Sequence, residues 1–410
     1  MLDIQFIRDN KDLIKEAVTN KQLDIKIVDR LLDVDEKRRA SQQKVDSLRQ
    51  QKNKLGKDDR EKGRELKEKL KEVEPVLREL EDEFQNLMLQ IPNPPADDVP
   101  IGKDESGNQV VKTWGEKKKF DFKPLAHHEL AKNNDWYDSE RAVRIAGSRA
   151  FFLKGDLVLL EQALLSYALK KMVGLGFTPM SVPWMVNKEA LVGTGYFPWG
   201  EEDHYHTQDG QGLIGTSEVS LTAYHKGEML THKDLPIKMC GMSPCFRREV
   251  GSYGKDTQGF FRVHQFTKVE MVIYTEANEE TTRKWHDKML TISEELLQDL
   301  GLSYQVLLMC SGDMGAGQRR KYDIETWFPG EDSYRETHSD SYFNDFQSRR
   351  LNIRYQDEKG EKHFVYTLNN TVAASPRLLA GILENYQQKD GSVKVPDVLQ
   401  PYMGKDVMGK

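Results

Sequence analysis

The chain has 410 residues, a formal net charge of -6, 31% charged and 38% hydrophobic residues, a balance that allows one large core with a smaller appendage and argues against a general nucleic-acid-coating protein. No apolar run approaches the ~20 residues of a membrane span, and the start, Met1-Leu2-Asp3-Ile4-Gln5, lacks the basic and apolar regions of a secretory signal. Cys240, Cys245 and Cys310 are too few for a disulfide framework, so a reducing compartment is expected, with the cytoplasm as default.

A short helix is predicted at 5–20. Residues 28–90 are crowded with Lys, Glu, Gln, Arg and Leu and contain almost no aromatic side chains. Leu66, Leu70, Val73, Leu77, Leu80, Phe84 and Leu87 recur at alternating gaps of four and three, the a/d seam of a helix that needs a partner. Leu31, Val34, Val45, Leu48 and Leu55 supply a weaker seam, broken by Arg38, Ser41 and Lys52. Between them, Gly56 can end one helix and the following Asp residues can cap the next. The pattern predicts an antiparallel helical hairpin with its tip near Gly56 and the 5–20 helix beside its root. Pro75, inside the second seam, predicts a kink or local break, because it removes a backbone hydrogen bond at a cost of about 3 kcal/mol.

Charge is unevenly spread. From Glu36 to Glu72 there are 14 Lys/Arg and 8 Asp/Glu, a local +6, so the remainder carries -12. That fits a discrete phosphate-binding arm, and equally a solvated helical face laced with i,i+4 pairs.

Pro92, Pro94, Pro95 and Pro100 mark a linker. Beyond it, helices are predicted at 157–173, 278–299 and 376–386, and strands at 177–182, 260–274, 304–310 and 363–368. Without regular βαβ spacing this reads as α+β with a mainly antiparallel sheet. No P-loop is present.

The informative stretch lies between Cys245 and Glu270. Phe246-Arg247-Arg248-Glu249 leads into a loop with Gly251, Gly254 and Gly259, then Arg262-Val263-His264-Gln265-Phe266-x-Lys268-x-Glu270. Two extended runs around a glycine-containing loop predict a hairpin that brings Arg247 and Arg262 together, with Glu249 at the loop mouth. Paired guanidiniums can hold a triphosphate by bidentate hydrogen bonds, and Phe266 offers a face to a purine. Taken alone, an Arg–Glu–Arg cluster is also what an ordinary surface hairpin carries.

Phe-Arg-x-Glu, a loop, then Arg-x-His-Gln-Phe resembles motif 2 of class II aminoacyl-tRNA synthetases in its seryl form. Gly176-Phe177-Thr178-Pro179-Met180-Ser181-Val182-Pro183 resembles motif 1, and Asn369-Asn370-Thr371, Ser375-Pro376-Arg377 and Glu384-Asn385-Tyr386-Gln387 resemble motif 3. The ending Val395-Pro396-Asp397-Val398-Leu399-Gln400-Pro401-Tyr402-Met403 is also similar. With the hairpin, the resemblance spans essentially the whole chain.

The resemblance implies a class II catalytic domain at 101–410 and an N-terminal tRNA-binding domain at 1–100, whose coiled-coil arm is the 28–90 hairpin. It implies an enzyme that activates L-serine with ATP and Mg²⁺ and loads serine tRNA, with a selenocysteine tRNA as a further acceptor to consider. A homodimer through the motif 1 region and no membrane association go with it. Carried over residue by residue, Thr216, Ser217 and Glu218 contact serine, Arg247 bridges the serine carboxylate and the ATP α-phosphate, and Glu249 meets the adenine side. Arg262 binds the terminal phosphates, Phe266 and Arg377 sandwich adenine, and Glu270 and Thr371 read the serine side chain. Glu336 holds Mg²⁺ with Ser339 as second ligand; Arg248, Val263, Thr337 and His338 complete the ATP contacts.

Glu336-Thr337-His338-Ser339-Asp340-Ser341-Tyr342 departs from the Glu-Ile-Ser-Ser-Cys-Ser-Asn of many relatives. It leaves Thr337, His338 and Asp340 without a settled role, and His338 is expected as a neutral hydrogen-bonding group rather than a general base. Cys240 and Cys245 do not make a zinc site; His127-His128-Glu129 reads as packing or capping, and Tyr196-Phe197-Pro198-Trp199 as a loop anchor. Two other readings stay open: an amino acid:carrier-protein ligase of the same ancestry, and a non-catalytic RNA-binding paralogue.

Overall fold

Helices α1 (Ile4–Asp9) and α2 (Lys11–Asn20) replace the single helix expected at 5–20. Asn10 interrupts it with φ -126° and ψ 41° while its amide still bonds to Phe6 O. Two long helices follow, α3 (Lys26–Asn53) and α4 (Arg60–Gln90), packed on one another. The computed structural model describes residues 1–56, 59–251 and 258–409; Lys57 and Asp58 of the expected tip, and Gly254 of the motif 2 loop, fall outside these. The chain divides into two compact units, Met1–Pro94 and Pro95–Lys410.

Within the first unit the seam is buried as the spacing predicts: Val45, Leu48, Leu66, Leu70 and Leu77 form one apolar cluster with Leu55 and Val73 at its edge. Arg38 does not break the seam, because its guanidinium lies 4.3 Å from the centre of the Phe84 ring and pairs with Asp35 at 3.1 Å. Inter-helix pairs Arg30–Glu83 (2.6 Å) and Arg49–Glu74 (2.9 Å) are exposed and add register more than stability. Asp59 stands before α4, but its carboxylate accepts from Gly56 N at 3.1 Å rather than from the first helical turn. Pro75 does not break α4, which runs as one element through it. Pro75 and Lys71, whose carbonyl loses its partner, are both exposed, so water can satisfy that oxygen while Leu70 and Leu77 hold the seam.

The second unit is built on an eight-stranded sheet among the described residues. Its strands, in chain order, are β1 (Gln109–Trp114), β2 (Thr178–Met180), β3 (Ile237–Phe246), β4 (Gln265–Thr275), β5 (Tyr304–Leu308), β6 (Arg320–Phe328), β7 (Ser333–Asn344) and β8 (Tyr366–Ala374). They lie in the order β1-β5-β6-β7-β8-β4-β3-β2, and every pairing is antiparallel except β3 with β2. The strand expected at 260–274 starts only at Gln265, and the one expected at 363–368 is two, Lys362–Phe364 and β8.

Helices α5 (His127–Asn133), α6 (Asp156–Gly174), α7 (Glu279–Asp299), α8 (Phe346–Leu351) and α9 (Ser375–Tyr386) accompany the sheet. Strand alternation then sorts the side chains. On β4, Val269, Met271 and Ile273 enter the core shared with α6, α7 and α9, whereas Lys268 and Glu270 point into a cavity on the other face. On β8, Leu368 joins that core and Asn370 donates to Met289 O of α7 at 2.9 Å, while Asn369 and Thr371 line the cavity. Among the described residues no helix is long and apolar enough to cross a membrane.

Candidate active site

The predicted hairpin forms. β3 and β4 pair from Ile237↔Tyr274 to Phe246↔Gln265, and beyond them Arg247 N donates to His264 O at 3.0 Å. Arg247 Nε donates to Gly215 O at 3.2 Å, which turns the guanidinium inward. Glu249 sits at φ +56°, left-handed backbone that a non-glycine residue seldom adopts. From there its carboxylate meets Arg262 Nη1 at 2.7 Å.

One end of the cavity is lined by carboxylates. Tyr196 Oη donates to Glu218 Oε2 at 2.8 Å and Gln347 Nε2 to Oε1 at 3.0 Å. Burial, with the neighbouring Glu270 charge, pushes the Glu218 carboxyl up to about 7 against the pull of these donors and of Lys268. Lys268 Nζ lies 2.5 Å from Glu270 Oε2, both side chains being buried, and Thr371 Oγ1 approaches the same oxygen at 3.5 Å. Asn369 brings a buried side-chain N–H group with no partner among the described residues.

The other end is a mixed charge cluster. α9 begins at Ser375 directly after β8, with Pro376 in its first turn, so Arg377 emerges at the sheet surface, where Nη1 bonds Glu336 Oε2 at 3.0 Å. Burial opposes ionisation of Glu336, but Arg377, Lys321 and Arg247 outweigh it and hold its carboxyl at about 2. Asp323, cross-strand partner of Ser339, is pushed up to about 7 by burial and by Glu336, despite Lys321 at 2.9 Å. Its Oδ1 is buried with no hydrogen-bond partner among the described residues. Glu336, Ser339 and this orphaned oxygen are hard oxygen donors, the set that suits a divalent cation such as Mg²⁺. Aromatic faces flank the cluster: Arg377 lies 4.9 Å from the Phe261 ring centre, and Arg247 lies 5.2 Å from that of Phe266.

Arg247, Glu249, Arg262, Val263, Phe266, Glu218, Glu270, Thr371, Glu336, Thr337, His338, Ser339 and Arg377 all line one cavity of about 260 Å³. Adjoining cavities of about 300 and 430 Å³ share Arg262, Glu336 and Arg377 with it, giving an extended cleft. Thr216, Ser217 and Arg248 are not in that lining. Thr216 Oγ1 accepts from Glu218 N at 3.2 Å, Ser217 Oγ donates to Gly241 O at 3.1 Å, and Arg248 Nη1 donates to Glu202 O at 3.1 Å. Tyr196, Lys268, Gln318, Lys321 and Asn369 line the cavity although sequence reasoning gave them no site role. Lys268 was the legible one: two residues from Glu270 on a strand, it must share that residue's face.

His338 is buried, its Nε2 donating to Val372 O at 3.1 Å and its Nδ1 accepting from Thr337 Oγ1 at 2.9 Å. Burial lowers its pKa to about 4. It is a neutral hydrogen-bonding group, but its partners are protein. His127 Nδ1 and N both bond Glu384 Oε1 at 2.9 Å, and Glu129 accepts from Ala126 N at 3.1 Å, so this trio caps and packs.

Two family models match the chain: "Seryl-tRNA synthetase N-terminal domain" over residues 1–95 and "tRNA synthetase class II core domain (G, H, P, S and T)" over residues 203–386. The serine–tRNA ligase of Deinococcus radiodurans is 44% identical, over 100% of this chain and 99% of that protein. The crystal structure of seryl-tRNA synthetase from Pyrococcus horikoshii complexed with ATP superposes with a TM-score of 0.93 at 36% identity, covering 100% of this chain and 99% of that one. The cytoplasmic enzyme from Naegleria fowleri in complex with AMP gives 0.89 at 34%, with the same coverage. Identity of this order along the whole length, on a matching fold, places the chain in the serine–tRNA ligase family of class II aminoacyl-tRNA synthetases.

Proposed function

We propose that the chain activates L-serine with ATP to seryl-adenylate and pyrophosphate, then transfers serine to the 3′ end of its tRNA. The observation that carries this is the convergence of Arg247, Arg262, Glu336 and Arg377 around one cavity whose far end holds Glu218 and Glu270.

In the first step the serine carboxylate attacks the α-phosphorus, and no protein nucleophile is needed. Arg247 holds that carboxylate against the α-phosphate and Arg262 takes the terminal phosphates, so the reacting atoms are aligned and the developing charge is neutralised. Arg377 lies flat over adenine opposite Phe266. Glu218 receives the substrate ammonium; Glu270 and Thr371 accept the side-chain hydroxyl. Thr216 and Ser217 shape the Glu218 loop from behind, and Arg248 braces the motif 2 strand against Glu202.

Mg²⁺ would be held by Glu336 and Ser339, with Asp323 beside them. When bound it supplies positive charge to the pyrophosphate leaving group. Lys321 pairs with Asp323 and Arg377 with Glu336 in the same cluster.

The N-terminal domain, taken as 1–100, grips serine tRNA through the basic arm, by phosphate and ribose contacts rather than base sequence. That long hairpin also disfavours a carrier-protein ligase. Catalysis belongs to 101–410. A homodimer is proposed through β2 and α6, where the open sheet edge and exposed Leu159, Val173, Trp184 and Met185 need cover. The cytoplasm is the proposed compartment. The test is ATP–pyrophosphate exchange with each standard amino acid: serine alone should support it, and exchange driven by another amino acid, or by none, would overturn the proposal.

A further inference from the structure

Two carboxylates share the amino-acid end of the cavity, and a serine molecule carries one ammonium. Something must decide which of the two receives it. The structure treats the pair differently. Glu218 is held by two neutral donors, the Tyr196 hydroxyl at 2.8 Å and the Gln347 amide at 3.0 Å. Glu270 is held by a cation, Lys268 Nζ at 2.5 Å, on the same face of β4 and as deeply buried. Both Lys268 and Thr371 approach Oε2 of Glu270, leaving Oε1 for a substrate group.

Charge bookkeeping follows. With serine in place, its carboxylate is matched by Arg247 and its ammonium by Glu218, while Glu270 is already matched by Lys268. The side-chain subsite is therefore neutral overall. A neutral hydroxyl entering it adds a hydrogen bond and no charge. An ammonium entering it would be stranded beside Lys268 in a buried site, which is heavily penalised.

We infer that Lys268 is a specificity-determining residue: by occupying Glu270 it directs the substrate ammonium to Glu218 and excludes amino acids with a cationic side chain. The inference rests on the assignment of this cavity to serine. It names as the excluded class small diamino acids, of which L-2,3-diaminopropionate is the closest in size to serine. Removing the lysine charge converts the subsite from neutral to anionic and should invert its preference.

The experiment compares ATP–pyrophosphate exchange supported by L-serine and by L-2,3-diaminopropionate, on the full chain at one slightly acidic pH. Lys268→Met should raise the ratio of diaminopropionate to serine kcat/KM at least tenfold, and adding Glu270→Gln to it should bring the ratio back toward the starting value. A folded Lys268→Met protein with an unchanged ratio would overturn the inference, as would a double variant that keeps the raised ratio. A measurement on the unaltered chain covers the case in which the variant does not fold. Diaminopropionate should compete with serine less well than L-alanine does at that same pH, because its side-chain ammonium would be stranded beside Lys268. Competition as good as alanine's, or better, would overturn the inference. Absence of serine-dependent exchange in the unaltered chain would instead remove the underlying reading, whatever Lys268 does.

Discussion

Arg377 Nη1 donates both to the backbone oxygen of Glu336 at 2.9 Å and to its Oε2 at 3.0 Å, tying the first turn of α9 to β7. One guanidinium thereby fixes the carboxylate proposed to hold the cation. A cation held there would share Glu336 with Arg377, which helps to keep its carboxyl well below the usual carboxylate range. Glu336→Gln keeps the shape and an acceptor for Arg377 but loses the charge. The magnesium concentration needed for half-maximal exchange should rise at least tenfold, with the serine KM little changed. An unaltered magnesium dependence would remove Glu336 from the metal's neighbourhood.

Arg247 enters from the motif 2 strand with its backbone amide and Nε both anchored, so it is preorganised before substrate binds. Such a donor is worth on the order of 10²–10³-fold in rate. Arg247→Ala should lower serine-dependent pyrophosphate exchange by at least that factor, and Arg247→Lys should rescue only part of it, since a point charge cannot bridge two oxyanions as a planar fork does. Near-normal exchange in the alanine variant would refute the bridging role.

Most of this cleft could be read before any coordinates. Arg247, Glu249, Arg262 and Phe266 follow from two extended runs around a glycine-containing loop, and the antiparallel sheet from the lack of βαβ spacing, whereas the place of Glu270 in the site came from the family resemblance. What escaped has identifiable causes. Asp323 and Lys321 come from β6, which reaches the site only by pairing with β7, a long-range contact that no local pattern signals. Tyr196 is an aromatic loop residue whose hydroxyl finds Glu218 through the tertiary fold. Thr216 and Ser217 were assigned to serine by the resemblance to the family's Thr-x-Glu loop; in the structure, at the tight start of a short helix, their hydroxyls bond the backbone. A kink or local break was expected at Pro75; the helix runs through it as one element, and sequence alone does not show that the carbonyl it orphans lies at an exposed position.

Glu218 gives the activity a pH dependence with a definite sign. Its folded carboxyl is raised from 4.5 to about 7 by burial, with Glu270 adding to the effect. The folded chain therefore keeps this proton longer than the unfolded chain does, and the group lowers stability as pH rises from about 4.5 to about 7. The proposed binding of the serine ammonium by Glu218 requires the ionised form, so kcat/KM for serine should fall as pH drops below about 7, reporting the free enzyme. Tyr196→Phe removes a donor that favours the anion, so the acidic limb should move to higher pH while the ATP KM holds. A limb that stays in place would exclude Glu218 as the titrating group.

Thr371 and Glu270 are cross-strand partners on β8 and β4, and their hydroxyl–carboxylate approach of 3.5 Å is long for a hydrogen bond. A serine hydroxyl between them would give both a better partner, whereas alanine would leave them unmatched, which is how a polar subsite rejects a smaller analogue. Thr371→Ala should reduce the serine-over-alanine preference in exchange by roughly 10–100-fold, mostly by weakening serine. Equal discrimination in variant and parent would place the hydroxyl subsite elsewhere.

The arm offers the separation of recognition from chemistry. Arg30 and Glu83 meet at 2.6 Å across α3 and α4, so the chain leaves and re-enters the hairpin root at neighbouring points. Residues 30–88 can accordingly be replaced by a short Gly–Ser link with little loop-closure cost. The cavity residues all lie in the Pro95–Lys410 unit, whose core is its own. The shortened protein should retain serine-dependent pyrophosphate exchange within a few-fold and lose tRNA charging by several orders of magnitude. The cause is the loss of a basic element that carries +6 between Glu36 and Glu72 on a chain of net charge -6. Charging by the parent should also weaken steeply with added salt while exchange does so far less, because only the former depends on contacts along a nucleic-acid backbone with its condensed counterions. Joint loss of both activities in a folded deletion protein, or equal salt sensitivity of the two reactions in the parent, would mean that the arm takes part in chemistry as well as in grip.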